Sequence, residues 1–401
     1  MTTDRLTELM EETAASVAPP SLAEASWIRA AAVRRRRRVA AVLTTVVAVV
    51  AVTVPFSIGG GGERHVIPVP PAESVAPGVD GMPRSLVPRA IAPLPQSWRI
   101  PADAPVLSGH PVSRAVMVAQ EHDWEAEGNP MLPLHVLDVT GQWVRVDIGD
   151  LTRTHDVGGN EADPLRAASL SPDGRRVALP QPEAVVVIDL TTAKAHRIAV
   201  PGLNEQVMWW GDDVVLVEGG GAGLTRVNWA TGATSREPAS ISAWRSTGSR
   251  VAAGPIPELL GDEGRLTLRT WELGTPGPLV EMPVDGVVPP EFRVTGWYGA
   301  GIPNGDGLTV SAAWGDSSSM MSGAEMVVVV DTATGSVRRL LDMGVIGRRV
   351  KMCCTPLYWI DQQTVLVQTD LEGLISWNVR TGEIHLVTAG PIPARLSVNL
   401  A

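Results

Sequence analysis

The stretch that decides the fold starts with Ser171-Pro-Asp-Gly-Arg-Arg-Val-Ala-Leu179 and continues to Val185-Val-Val-Ile-Asp-Leu-Thr-Thr192. Each of its turns is followed or preceded by a short run of β-branched and other apolar residues. Asp and Asn side chains accept hydrogen bonds from nearby backbone N–H groups in turns, while β-branched residues favour extended strands. The stretch therefore predicts consecutive antiparallel hairpins.

The second of these turns recurs along the chain, each time between two strand-like runs. The copies are Asp138-Val-Thr-Gly141, Asp189-Leu-Thr-Thr192, Asn228-Trp-Ala-Thr-Gly232, Asp331-Thr-Ala-Thr-Gly335 and Asn378-Val-Arg-Thr-Gly382, with a fainter copy at Trp271-Glu-Leu-Gly274. A further turn precedes most copies, so that each unit reads as four antiparallel strands. Successive units lie about 40–60 residues apart, close to the length of a propeller blade.

The sequence thus predicts an all-β fold, a six-bladed β-propeller over residues 106–401. Seven blades is the alternative if an insertion around 299–307 or 317–323 holds another strand pair. The last residues alternate apolar Leu396, Val398 and Leu400 with polar Ser397 and Asn399. We expect them to form an outer strand that closes the ring against the first blade, because closure removes an open sheet edge.

Two of these hairpins resemble those of the TolB-like and WD-repeat-like propeller families. Ser171-Pro-Asp-Gly-Arg-Arg-Val-Ala178 is similar to their inner hairpin, and Val330-Asp-Thr-Ala-Thr-Gly335 to their outer one. The resemblance covers about three quarters of the chain and implies the fold without implying a function. The whole layout is similar to that of single-pass actinobacterial envelope proteins with WD-like repeats.

A membrane anchor is predicted at Val39–Ile58, where twenty successive residues carry no charge. At about 1.5 Å per helical residue they span the hydrocarbon core of a bilayer. The basic run Arg34, Arg35, Arg36, Arg37 and Arg38 directly precedes them and predicts a cytoplasmic N-terminus, with the rest of the chain outside the cell membrane. A cleavable signal peptide is the alternative, but its apolar core would be shorter.

Four segments follow from these signals. Residues 1–38 are predicted to be a cytoplasmic tail with short helices, and 39–58 the transmembrane helix. Residues 59–105 form a Gly- and Pro-rich linker, and 106–401 the propeller. Ten of the forty residues from Val66 to Pro105 are proline, which favours an extended spacer. Its distal end, from Leu94 through Trp98 to Ile100, is a candidate for a strand added to the propeller.

The composition and the motifs argue against nucleic-acid binding and against several classes of enzyme. The 401 residues hold 33 Lys and Arg against 43 Asp and Glu, a net charge of -10 that repels nucleic acid. No motif of a metalloprotease, serine hydrolase or P-loop is present, and the loop Gly219–Gly223 lies between strands. No catalytic residue and no cofactor are therefore predicted.

The acidic stretch from Glu121 to Glu127 provides the weak metal candidates Asp123, Glu125 and Glu127, whose oxygens suit Ca²⁺. A solvated acidic loop is the plainer interpretation, and it is the one we favour. The sequence therefore predicts no metal site.

The cysteines and tryptophans receive structural interpretations. Cys353 and Cys354 form either an adjacent-residue disulfide or, as we favour, two buried thiols in the last unit. Trp210, Trp244 and Trp359 take equivalent positions in their units, which favours packing between blades over stacking on a sugar.

The leading hypothesis is an extracytoplasmic binding or scaffold module without enzymatic activity, which contacts a protein or envelope ligand through loops at one face of the ring. A propeller hydrolase or lyase with acids at the channel mouth is the second hypothesis. The third is a membrane sensor that signals through its cytoplasmic tail.

Overall fold

In the computed structural model, residues 77–401 are described except for 124–127, 157, 220–222, 239–254, 263–264, 289–291, 298–300, 318–319, 344–353 and 370–371. Every regular element within this part of the chain is a β-strand. No helix within it has the length and apolarity that a membrane span needs. The predicted tail and anchor, with the run Arg34–Arg38, lie outside the described residues.

The strands are short, as the spacing of turn residues predicts. In the first half of the chain they are β1 Gly78–Gly81, β2 Val87–Pro88, β3 Ala115–Glu121, β4 Leu134–Asp138, β5 Trp143–Arg145, β6 Thr154–His155, β7 Glu161–Ala162, β8 Arg176–Gln181, β9 Ala184–Asp189, β10 Lys194–Ala199, β11 Asn204–Trp210, β12 Val214–Gly219, β13 Leu224–Asn228 and β14 Thr234–Arg236. In the second half they are β15 Ile256–Asp262, β16 Arg265–Trp271, β17 Val280–Pro283, β18 Val287–Val288, β19 Phe292–Trp297, β20 Ile302–Pro303, β21 Leu308–Ser317, β22 Met320–Asp331, β23 Val337–Asp342, β24 Cys354–Trp359, β25 Thr364–Thr369, β26 Gly373–Asn378, β27 Ile384–Ala389 and β28 Ala394–Val398.

These strands build five blade-like sheets and one larger sheet, beside the small hairpin β6-β7. In chain order, sheet 1 is β28-β3-β4-β5, sheet 2 is β8-β9-β10, sheet 3 is β11-β12-β13-β14, sheet 4 is β15-β16-β17, sheet 5 is the seven-stranded sheet of β1, β18–β23, and sheet 6 is β24-β25-β26-β27 with β2. The segment before β8 extends sheet 2, since Leu170 forms a bridge to Val177. The described part of the chain is therefore all-β, as predicted.

The recurring Asx turns lie where the sequence places them, between the last two blade strands of each sheet. In each full copy the Asp or Asn oxygen accepts a backbone N–H two or three residues later: Thr140 to Asp138 at 2.8 Å, Thr191 to Asp189 at 2.8 Å, Thr231 to Asn228 at 2.9 Å, Ala333 to Asp331 at 2.9 Å and Arg380 to Asn378 at 3.0 Å. The glycine supplies the positive φ, for example 69° at Gly335. In the second copy Ala193 takes this conformation with a φ of 50°.

Buried hydrophobic clusters join each sheet to the next and show how the sheets are arranged. Each of six clusters contains residues of two sheets: Val118 with Leu179, Val187 with Trp209, Leu216 with Ile256, Leu268 with Val328, Val327 with Val365, and Leu366 with Leu396. These pairs connect sheets 1 to 6 in order and then sheet 6 back to sheet 1. The sheets therefore follow one another around a closed, propeller-like ring.

The C-terminal strand closes this ring, but not from the outside as the sequence predicted. β28 pairs antiparallel with β3, and it lies in sheet 1 where the first strand of the other sheets lies. Ser397 and Asn399 are almost fully buried. Ser397 Oγ accepts the Leu170 N–H at 2.9 Å, and Asn399 Nδ2 donates to the Ser171 carbonyl at 2.9 Å. The prediction of an outer strand was wrong because these polar side chains bond the backbone of sheet 2 and not water.

The Pro-rich segment that precedes the ring lies along its outer edges. We call residues 78–107 the strap. β1 pairs parallel with β23 in sheet 5, β2 pairs parallel with β27 in sheet 6, and Val106 forms a parallel bridge to Arg145 in sheet 1. An outermost strand needs ladder bonds on one side only, so it tolerates proline. Leu94 and Trp98 pack against sheets 6 and 1, but the predicted added strand is reduced to a single bridge between Ser97 and Ala389.

Buried contacts fix the strap to sheets 5 and 6. The Asp80 carboxylate accepts two hydrogen bonds from the Arg339 guanidinium, at 2.8 and 2.6 Å. It also accepts the Trp377 Nε1–H at 2.9 Å. Both charged side chains are mostly buried, at 12% and 14% exposed. Trp98 packs edge-on against Trp143 with ring centroids 5.6 Å apart. The strap is thus held by an ion pair at one end and by aromatic packing at the other.

Candidate functional site

Trp359 and Trp209 pack between sheets. Trp359 is buried and donates its Nε1–H to the Ile302 carbonyl of sheet 5 at 2.7 Å. In sheet 3 the equivalent residue is Trp209, which donates to the Ser169 carbonyl at 2.8 Å. Trp210, to which the sequence assigned this role, is partly buried and packs against the cluster between sheets 3 and 4, on the opposite face of β11 from Trp209. Trp244 lies outside the described residues.

The cysteine interpretation needs a correction. Cys354 is buried at the start of β24 and is disulfide-bonded, whereas the sequence analysis favoured free thiols. The chain holds one other cysteine, the adjacent Cys353, which lies outside the described residues. Sequence alone could not decide between the two states, because both suit a buried strand end.

The charged residues that converge lie where the first strands of sheets 1, 2 and 3 begin. Arg395 is on β28, and Arg166 lies on the segment before Leu170 that runs beside β28. Ser397 Oγ donates to the Ala167 carbonyl at 2.8 Å, which sets Arg395 near Arg166 along the two segments. We call five side chains the arginine cluster: Arg395, Arg166, Arg153, Asp163 and His122.

Arg166 is held rigidly by neutral acceptors. Its side chain is buried and donates to the Glu205 carbonyl of β11 at 2.6 Å, to the Leu165 carbonyl at 3.0 Å and to the Asp163 carbonyl. A further bond goes to Thr154 Oγ1 at 2.9 Å. Burial, and then the charge of Arg395, lower the pKa of Arg166 to about 9. The guanidinium therefore joins sheets 2 and 3 while its positive charge is unfavourable where it lies.

Arg395 has a different environment. Its side chain is exposed, yet the residues around it desolvate the guanidinium enough to lower its pKa. Among the described residues, no group accepts a hydrogen bond from its side chain, although Asp163 attracts its charge. Its neighbours on the strand, Ala394 and Leu396, are buried and fix the backbone.

Asp163 is the acid that the cluster shares. It accepts the Arg153 Nε–H at 2.8 Å, and its charge stabilises the protonated forms of Arg166, Arg395 and His122. Arg153 also lies 3.7 Å from the exposed Glu161. Asp163 thus serves Arg395 while it is already bonded to Arg153, whereas the charge of Arg166 is also compensated by Glu205. The arrangement suits an incoming anion better than an incoming cation.

Two histidines make stability depend on pH. Burial and then Arg395 lower the pKa of His122, against the effect of Asp163. Burial and then Arg145 lower the pKa of His135, against a backbone hydrogen bond at Pro133. The unfolded chain titrates near pH 6.5, so below that pH it takes up protons before the folded protein does. The free energy of unfolding is expected to fall as the pH decreases from about 7 through 6.5.

Thermal unfolding of the full chain at pH 7.5, 6.5 and 5.5 checks this expectation. His135→Gln should flatten the fall in melting temperature, because it removes one of the two depressed groups. His110→Gln, at an exposed histidine, is the matched control and should leave the slope unchanged. A melting temperature that stays constant or rises toward pH 5.5 would contradict the assignment.

The predicted metal candidates do not form a site in the described residues. Asp123 is described, whereas Glu125 and Glu127 lie outside that part of the chain. No group of three His, Cys, Asp or Glu side chains suited to a metal occurs within it. Sequence reasoning missed the arginine cluster because its members come from residues 122–166 and from 395, which ring closure alone brings together. The one available signal was an Arg inside the apolar alternation of β28.

The fold defines a class, a propeller-like all-β protein, in which the arginine cluster lies where sheets 1, 2 and 3 meet. No protein-family model matches the chain. No curated protein sequence matches it. The TolB-like and WD-repeat-like resemblance therefore stays a prediction.

Solved structures share parts of the architecture. Hydrazine synthase of Kuenenia stuttgartiensis is 11% identical over 62% of this chain and 70% of its own, with a TM-score of 0.41. The acylaminoacyl peptidase of Pyrococcus horikoshii is 15% identical over 70% of this chain and 45% of its own, with a TM-score of 0.39. The computationally designed Ika8 protein is 15% identical over 68% of this chain and 74% of its own, with a TM-score of 0.33. Similarities of this size carry no inference about function.

Proposed function

We propose that the protein is a membrane-anchored, extracytoplasmic binding module built on a six-bladed propeller, with the seven-stranded sheet counted as one blade. It binds a protein or envelope ligand through the loops around the arginine cluster. The observation that carries this proposal is Arg395, an accessible arginine without an acceptor among the described residues, beside the buried Arg166. The apolar run 39–58 and the preceding Arg34–Arg38 support the anchor and its orientation.

Binding is favoured over catalysis by the state of the nearby acid. A hydrolase or lyase needs a carboxylate or imidazole that is available to a substrate. Asp163 instead accepts a hydrogen bond from Arg153 and interacts with two more cations. The Asp163 carboxylate is therefore placed to hold cations and poorly placed to move a proton.

The membrane part of the proposal is tested by the accessibility of tags on the full chain in intact cells. A tag after Ala401 should be labelled by antibody without permeabilisation, and a tag before Met1 only after it. Changing Arg34–Arg38 to glutamine should reduce that asymmetry, because the positive charges hold the N-terminus inside. Labelling of the N-terminal tag alone in intact cells would overturn the orientation.

The binding part is tested by site-specific photo-crosslinking in the same cells. A crosslinker at the exposed Pro393, directly before β28, should give a discrete higher-mass product. The control position is the exposed Arg197 on the outer strand β10, which should give none. Equal products at both positions, or none at Pro393, would contradict binding through this end of the ring.

The strap favours a second candidate, a sensor that signals through the cytoplasmic tail. The strap leads from the predicted anchor onto sheets 5, 6 and 1, so a movement of these sheets would reach the membrane. Deletion of residues 2–32 should then change the cellular response to the ligand without changing binding at the propeller. An unchanged response would remove this candidate.

A further inference from the structure

Arg395 is the member of the arginine cluster whose side chain has no hydrogen-bond acceptor among the described residues. Arg166 gives its hydrogen bonds to carbonyls and a hydroxyl and to no carboxylate oxygen in the described residues. Asp163 is bonded to Arg153 at 2.8 Å. Arg166 and Arg395 repel one another. Asp163 attracts the charge of Arg395, but no described residue accepts a hydrogen bond from its guanidinium, so those donors are available to an external partner.

The geometry of this place is fixed before anything binds. β28 is clamped by its pairing with β3 and by the hydrogen bonds of Ser397 to sheet 2. Arg166 cannot move without breaking its bonds to sheet 3 and to Thr154. The backbone that carries Arg395 is therefore fixed, and the planar fork of its guanidinium matches the two oxygens of a carboxylate or phosphate.

We infer that Arg395, supported by Arg166 and His122, is a binding site for an oxyanion, a carboxylate or phosphate group presented by the ligand. This inference rests on the proposed function and names the chemistry of its ligand. A bound oxyanion accepts the donors of Arg395 and relieves its repulsion with Arg166. The rest of the molecule carries a net negative charge, which disfavours extended polyanions and selects a ligand with an isolated anionic group.

The test measures binding to the purified full chain in non-ionic detergent at pH 7 by calorimetry and thermal shift. The probes are succinate and inorganic phosphate, with sodium chloride at matched ionic strength. At least one probe should bind saturably and raise the melting temperature, and chloride should not. Tighter binding of succinate assigns a carboxylate ligand, and tighter binding of phosphate assigns a phosphorylated one.

Substitutions of Arg395 test whether the probe binds at this side chain. Arg395→Gln should weaken binding of the probe at least tenfold, and Arg395→Lys should recover part of it, because lysine keeps the charge but not the fork. Arg197→Gln is the matched control and should bind as the wild type does. Without probe, Arg395→Gln should melt at the wild-type temperature or higher, since its side chain makes no hydrogen bond among the described residues.

Equal binding by wild type and Arg395→Gln, or equal stabilisation by chloride, would overturn the inference. Failure here is distinguishable from failure of the proposed function. A crosslinked partner at Pro393 together with no oxyanion binding would keep the binding module and remove the anionic ligand. Oxyanion binding without a crosslinked partner would keep the site and remove the scaffold role.

Discussion

Replacing Asp80 with alanine is expected to lower the free energy of unfolding by about 3–5 kcal/mol, the loss typical of breaking a buried ion pair from one side. The substitution leaves the buried Arg339 guanidinium without its carboxylate and Trp377 Nε1 without its acceptor. Asp80→Asn should lose less, because it keeps one acceptor oxygen. Urea unfolding of the full chain, followed by circular dichroism, measures both.

The matched control is Asp306→Asn, at an exposed turn residue of the same sheet. It should change the free energy of unfolding by less than about 0.5 kcal/mol. If Asp80→Ala unfolds as the wild type does, the strap does not stabilise the ring, and its path along sheets 5 and 6 needs another explanation.

A chain that ends at Pro393 is expected to lose cooperative thermal unfolding altogether. It lacks β28, whose Leu396 and Val398 are buried between sheets 6 and 1. Sheet 1 would expose the ladder of β3, and the packing between sheets 1 and 6 would lose two of its buried side chains. Differential scanning calorimetry should show no sharp transition, and removal of the exposed Ala401 alone should leave the transition in place.

Point variants at the C-terminal strand should lower the free energy of unfolding by smaller amounts. Leu396→Ala should cost about 2–5 kcal/mol through lost burial and the cavity that remains. Asn399→Ala should cost about 1–3 kcal/mol, because the buried carbonyls of Ser171 and Pro172 lose their donor. A chain ending at Pro393 that still melts cooperatively near the full-length temperature would contradict closure by this strand.

The sequence predicts the local parts of this fold well, because the Asx turns are local chemistry. Asp331 accepts the N–H groups of Ala333 and Thr334, which are only two and three residues away in the chain. The packing of the segment near Trp98 on the ring was also predictable, since apolar residues interrupt the prolines there. The prolines before Leu94 did not indicate the strands β1 and β2, because proline suits both a solvated spacer and an outermost strand.

Long-range features were not predictable in the same way. The alternation at Ser397 and Asn399 indicates that these side chains face polar groups. The sequence does not distinguish whether those groups are water or the backbone of a neighbouring sheet. Trp209 and Trp210 are adjacent, and the register that selects Trp209 is set by the pairing of β11 with β12. The arginine cluster was not predictable for the same reason. Arg395 lies near Arg166 only because β28 packs beside sheet 2.

Amide hydrogen exchange across β28 in the full chain tests most directly whether the C-terminal strand closes the ring and holds Arg395 beside Arg166. We expect the amides of residues 394–398 to exchange as slowly as those of β3, through unfolding of the whole ring. Exchange of 394–398 at the rate of an exposed loop, while β3 stays protected, would contradict the account.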